Sequence, residues 1–380
     1  MTRWQRLRTF LWTPRGKGLL AVIGLLVAFR LALPTIVKTV VNDRLAHLDG
    51  YAGRVLDVDI ALWRGAYVLD DMRIERIDED VPAPFFTADR IDVSIEWGAL
   101  FRGGVVAEIE MEHPVLTFVG GRTEQTGAGT DWRSAVDDLV PITINHLAIH
   151  HGEVHYRDFS SRPRVDVVAS ALEVEAIGLS TVHDESDPLP AHIDLRSRVQ
   201  RSGDLHAIID LDPWDEQPTM DLAVALEGLR AAELNDFLRA YAFVDAEQGR
   251  FYVYSEISSR HGEFTGYVKP MIEHLSLFQL GEDGDVVHQA LDLFVQVVAD
   301  LLENHGTDRL ATRVDVSGSF DQPGVNALQA FVGVLENTFI RAFEHGFERP
   351  SDAWQPDRSR SPVERGARGL PPVVHTASRE

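Results

Sequence analysis

The chain has 380 residues, 44% hydrophobic and 25% charged, so it has enough apolar side chains to build a folded core. Acidic residues outnumber Lys and Arg by 59 to 36, a formal charge of -23, which argues against a nucleic-acid partner because phosphate affinity comes from clustered cations. There is no cysteine, which excludes disulfides, thiolate metal sites and cysteine nucleophiles together and leaves the compartment open.

Residues 1–17 carry Arg3, Arg6, Arg8, Arg15 and Lys17 and no acidic residue. GLLAVIGLLVAFRLALPTIV follows at 18–37, apolar apart from Arg30 and about as long as a membrane-spanning helix of roughly 20 residues. Leu19, Leu20, Val22, Ile23, Leu25, Leu26, Val27, Phe29, Leu31 and Leu33 are its candidate lipid contacts. The basic flank predicts a single-pass anchor with 1–17 in the cytoplasm and everything after Val37 exported. Arg30 costs about 2.5–3.5 kcal/mol near a bilayer centre, less if it snorkels to the outer headgroups. Two alternatives stand beside the anchor. The run 18–29 has the length of a signal-peptide core, although no small-x-small site follows it, and a cytosolic protein can open on a greasy helix.

TIVKTVVNDRLAHL, residues 35–48, keeps helical spacing, with Ile36, Val40, Leu45 and Leu48 near one stripe. This predicts an amphipathic continuation of the anchor, at the membrane surface or over the mouth of the next domain, stopped by Gly50 and Gly53. From Arg54 the period changes to two. Val58, Ile60 and Leu62 alternate with Asp57, Asp59 and Ala61. Strands are predicted near 67–77, 86–97, 105–111 and 115–119, and the Gly/Thr-rich stretch 120–130 reads as a loop. Ile91, Val93 and Ile95 share a face, as do Ile109 and Met111, while Glu108, Glu110 and Glu112 form a wet back.

The region 38–130 is therefore expected to be a first β domain, and 131–347 a second β-rich block. In the second block Val154 and Tyr156 alternate with Glu153, His155 and Arg157, and further strands fall near 164–174, 192–199, 205–211, 222–226, 250–258, 263–268 and 312–320. Helical spacing marks 230–243, 286–304 and 325–347, and the aperiodic Pro/Arg/Ser-rich stretch 348–380 reads as a disordered tail. The fold class is mainly β (α+β): an N-terminal transmembrane helix, then an elongated, curved antiparallel sheet with a few covering helices. About a dozen one-sided strands exceed what three or four helices cover. The apolar faces either close as a sandwich or line a groove for an apolar ligand.

No motif carries chemistry. His146, His150, His151 and His155 form the densest set of metal-ligand types, but in a strand His151 and His155 stand about 13 Å apart, too far for one ion. Asp57, Asp59, Asp210, Asp212 and Asp215 read as wet strand faces, and the glycines of 120–130 lack the ending of a phosphate loop. No cofactor, metal or catalytic residue is expected, and an exported hydrolase would require carboxylates to converge in space.

Certain phrases resemble a known family. The anchor, GRVLDVDIALWRGAYVLDDMRIERI, and TADRIDVSIEWGALFRGGVVAEIEMEHPVLTF, with Leu100, Gly103, Gly104 and Pro114 at its turns, resemble the N-terminal region of AsmA-like envelope proteins. Gly152, Val154, Tyr156 and Asp158 match the Gly-x-apolar-x-aromatic-x-Asp phrase of that family's uncharacterised branch, and ELNDFLRAYAFVDAEQGRFYVYSEI is also similar to it. The resemblance covers about two-thirds of the chain. It implies a bacterial inner-membrane protein with a periplasmic bulk, related to bridge-like lipid-transfer proteins, although this chain is short for spanning a periplasm alone. Membrane lipids, and protein partners in the envelope, are the implied partners. Val58, Ile60, Leu62, Ile91, Val93, Ile95, Ile109, Met111, Val154 and Tyr156 are the groove candidates, at about 0.8 kcal/mol per acyl methylene buried. The other reading is an assembly scaffold with a closed core.

Overall fold

The structure, a computed structural model, describes residues 14–48, 50–61, 64–77, 81–95, 106–120, 125, 143–179, 188–213, 215, 217, 219–241, 244–279, 309–311 and 313–319. The expected loop at 121–130 apart from Gln125, the helices 286–304 and 325–347, the tail, the segment 1–13, and Leu62, Leu100, Gly103 and Gly104 lie outside the described residues.

One helix, α1 (Pro14–Leu45), contains both the apolar run and its continuation. Pro34 sits inside it, and its first turn holds no acidic residue. The stretch Ala21–Leu45 is long and apolar enough to cross a membrane. After Gly50, which adopts φ 73°, the chain turns to strand for most of its described length.

Among the described residues, fifteen strands form one sheet. They are β1 (Tyr51–Arg54), β2 (Asp57–Ala61), β3 (Ala66–Arg76), β4 (Phe86–Ile95), β5 (Val106–Glu112), β6 (Val115–Val119), β7 (Thr143–Asp158), β8 (Val165–Ile177), β9 (Ala191–Val199), β10 (Gly203–Asp212), β11 (Thr219–Arg230), β12 (Val244–Arg260), β13 (Glu263–Gln279), β14 (Arg309–Ala311) and β15 (Val314–Ser319). The main path runs β1-β3-β4-β5-β7-β8-β9-β10-β11-β12-β13-β14, with β2 beside β3, β6 between β4 and β7, and β15 beside β13. A 3-10 turn (Ala231–Leu234) and the short helix α2 (Asn235–Tyr241) connect β11 to β12.

The sheet is mixed, where an all-antiparallel one is expected from the sequence. β7 lies parallel to β5 and, farther along, parallel to β6. Alternation specifies which side chains point inward and leaves the neighbouring strand open. The sheet also crosses the boundary at 130/131 without a break, because β5 and β6 hand over directly to β7. Register keeps the apolar residues together: Ile91 faces Met111, Val93 faces Ile109 and Ile95 faces Ala107.

A row of left-handed residues crosses the first half. Asp71, His113, His151 and Ala171 have φ between 48° and 56°, on β3, at the β5–β6 junction, on β7 and on β8. Each adds one residue to the pleat, so apolar spacing becomes three across the row. Leu69 is followed by Met72, Ile149 by Gly152 and Ala169 by Leu172, and the apolar side stays the same. Without these steps every strand would turn its apolar set to water beyond the row.

The apolar face as candidate functional site

Directly opposed residues in a ladder point to the same side, so register traces one face across the molecule. Val58 faces Leu69, Leu69 faces Ile91, and Ile91 faces Met111. Met111 lies beside Ile149, Ile149 faces Val174, and Val174 faces Leu195. Leu195 then faces Ala207, Ala207 faces Val224, and Val224 faces Ser255. Ser255 faces Val268, which faces Val314. From β2 to β15 the chain of opposed residues is apolar except at Ser255, whose hydroxyl donates to the Tyr267 carbonyl oxygen at 2.9 Å.

This face meets different cover along its length. At the β1–β5 end, Val41 and Leu45 of α1 are buried in one cluster with Val58, Leu69, Ile91, Val93, Ala107 and Ile109. Val58 is 1% exposed and Leu45 0%. Four of the ten groove candidates, Val58, Ile91, Val93 and Ile109, are thus protein core beneath α1, with Ile60 and Met111 partly buried at the margin of the cluster. Ile95 is half-buried.

Over the middle strands the larger side chains of the same face are half-buried, between the buried alanines Ala176, Ala191 and Ala207. Leu147, Ile149, Val174, Ile193, Leu195, Leu205, Ile209, Val224 and Leu226 all fall in this intermediate class. Sequence reasoning left these residues off the candidate list. The alternation of Leu205, Ala207, Ile209 and Leu211 carries the same signal as the first block and would have found them. The far end closes again: Leu222, Ile257, Phe264, Val314 and Val316 form a buried cluster, with Ile209 and Val224 partly buried at its margin.

α2 caps one end of these strands. Leu238 packs with Val244, Ala246 and Phe251, while Tyr241 reaches β7, where its hydroxyl donates to Asp158 Oδ2 at 2.7 Å and lies 3.4 Å from the Tyr156 hydroxyl. The helix contacts both β8 and β12, so it links two strands that lie four places apart in the sheet. Desolvation, then its neighbours Tyr156 and Asp158, push the Tyr241 phenol far up, keeping it a neutral donor. Asp158 is held below the usual carboxylate range: burial opposes its ionisation, but bonds from the Ser160 hydroxyl, Tyr241 and the Ser160 and Ser161 N–H groups outweigh it. Tyr156, beside this cap, is the most exposed of the described groove candidates at 38%, and Val154 is half-buried.

The opposite face holds a second buried cluster at β11–β13, Ala225, Tyr254 and Met271, and over β5–β8 it is polar and paired. His146 stands 4.0 Å from Glu175, His150 3.0 Å from Glu173 and His151 3.5 Å from Glu112. His155, 8% exposed, sits between Glu153 at 3.0 Å and Asp166 at 2.8 Å, a buried position where the alternation predicts a wet one. A hydrogen bond to Glu173 raises the His150 pKa, and Glu173 is lowered despite burial because the His151 N–H and His150 stabilise its charge. Among the described residues no group of three or more potential metal ligands converges.

No protein-family model matches the chain, and no curated protein is significantly similar to it.

Proposed function

We propose that this chain is a membrane-anchored, non-catalytic lipid-binding protein of the AsmA-like kind, held in the inner membrane by α1 with its sheet in the periplasm. The observation that carries the reading is the continuous apolar face, which begins beneath a membrane-length helix and is half-buried over β8–β11. Eleven strand spacings along the main path, each about 4.8 Å, make the sheet about 53 Å wide. A face of that width accepts an acyl chain by apolar contact alone, at about 0.8 kcal/mol per buried methylene, and needs no headgroup pocket. Headgroup tolerance follows from that chemistry. The half-buried residues Ile193, Leu195, Ile209 and Val224 are the proposed contacts, whereas Val58, Val93 and Ile109 support the site as core.

A photoreactive amino acid at Ile209 or Val224 in the full-length protein, irradiated in native membranes, is the test. Lipid adducts at these positions, and none at Val93, are the expected result. Adducts to protein alone would overturn the lipid reading and favour an assembly scaffold.

A further inference from the structure

We infer that the outward side of α1 between Ile36 and Val40, together with Leu56, is a lipid-contact surface that seats the sheet against the outer leaflet, so that the lipid boundary on α1 falls at Asp43 and not at Arg30. The inference rests on the anchor half of the reading above and is independent of what occupies the sheet.

The cations decide the side. Arg30 and Lys38 are the only charged residues from Gly18 to Asn42, and the first acidic residue of the whole chain is Asp43. Neither cation is spent on the outward side. Arg30 Nη2 donates to the Ile60 carbonyl oxygen, and Lys38 Nζ donates to that of Leu56. One turn farther on, Asn42 accepts from the Val55 N–H at 2.7 Å and donates to the Val55 carbonyl oxygen at 3.4 Å. The spacings agree: eight helical residues from Arg30 to Lys38 rise about 12 Å, and four strand residues from Ile60 to Leu56 span about 13 Å. Polar groups that would oppose entry into lipid are therefore turned toward the backbone of β2, where they also satisfy strand carbonyls.

The outward side that remains is apolar. Ile36 is 50% exposed, Val40 55%, and Leu56, just before β2, 64%. Thr39 does not interrupt it, since its hydroxyl donates to the Thr35 carbonyl oxygen at 2.8 Å within the helix. Length agrees as well. The apolar run from Gly18 to Phe29 rises only about 18 Å, whereas Gly18 to Val40 rises about 34 Å, enough for a hydrocarbon core of about 30 Å with some tilt. Asp57 and Asp59 are exposed and alternate with Val58, which points to the α1 side, so the charged back of β2 faces water while α1 faces lipid.

The absence of cysteine makes the test direct. Single cysteines replace Leu31, Ile36, Val40, Asp43, His47 or Leu56 in the full-length protein. Each is spin-labelled and reconstituted in phosphatidylethanolamine vesicles containing phosphatidylglycerol. Labels at positions 31, 36, 40 and 56 are expected to collide with oxygen in preference to a water-soluble nickel chelate, and labels at 43 and 47 with the chelate. A pair of Ile36→Lys and Val40→Lys substitutions is expected to raise chelate access at position 56 on the order of fivefold. Chelate access at 36 and 40 equal to that at 43 would overturn the inference while leaving lipid adducts at Ile209 unaffected. Lost adducts with protected 36 and 40 would overturn the sheet reading alone.

Discussion

The β1–β5 end and the β8–β11 middle carry the same alternation, the same register logic and one common apolar face, yet their side chains meet different surroundings. Val93 and Ile109 lie under Val41 and Leu45, whereas Ile209 and Val224 are half-buried. Periodicity therefore identifies the inward side of a strand, and the cover on that side is decided by an element far away in the chain. Here that element is the C-terminal third of α1.

Substitutions that treat the two regions alike should separate them. The largest effect is expected from Val93→Asp, which puts an unpaired carboxylate into the sealed cluster: a loss of more than about 4 kcal/mol, read as failure to fold or as guanidinium unfolding of the detergent-solubilised chain. Val224→Asp in the middle should fold and lose most lipid adducts at Ile209. Equal destabilisation by both would erase the distinction between the regions. Leu45→Ala removes the lid contact itself and should cost about 2–5 kcal/mol, and Ile209→Ala less than half of that, by the same unfolding measurement. Tyr241→Phe tests the end cap. It deletes a hydrogen bond to a charged acceptor and should cost about 1.5–3 kcal/mol, with a fall in apparent melting temperature and an upward shift of the Asp158 pKa toward ordinary values.

The smallest effect belongs to the polar back. Because the His150 pKa is raised in the fold, its contribution is complete below the ordinary histidine pKa near 6.5 and is lost as pH climbs through the folded value. Because that of Glu173 is lowered, its contribution is present above about 4.5 and is lost as pH falls through the folded value. The pair is thus strongest between these limits. Glu173→Gln should remove no more than about 1 kcal/mol, since both side chains are more than one-third exposed, and should flatten the stability difference between pH 5.5 and pH 8.

Much of the fold was legible. β6 at Val115–Val119 coincides with its expected bounds, and the helix near residue 235 and the facing of Ile91 and Val93 toward Ile109 and Met111 were written in periodicity. The parallel seam at β7 was not, since no local pattern names a strand's neighbour. The left-handed row was hidden for a different reason. Glycine advertises positive φ, but Asp71, His113, His151 and Ala171 adopt it without that marker, and Ala171 lacks even the local hydrogen bond of an Asp or Asn. Of the site, the face was legible at the β2–β5 end and its sealing was not. Val41 is separated from Val93 by fifty residues, and only packing relates them.

The parallel seam also sets a minimum chain length. β6 ends with Val119 beside Arg157, and β7 begins with Thr143 beside Val106, so the connection must return along almost the whole of β7. Gln125 pairs back against Val119, so the return starts there. Fourteen residues of strand span about 46 Å, which an extended chain covers with about 14 residues, and 126–142 supplies 17. Removing more than about three residues from that stretch makes the connection geometrically impossible, and the two halves of the sheet would then have to find each other as separate pieces.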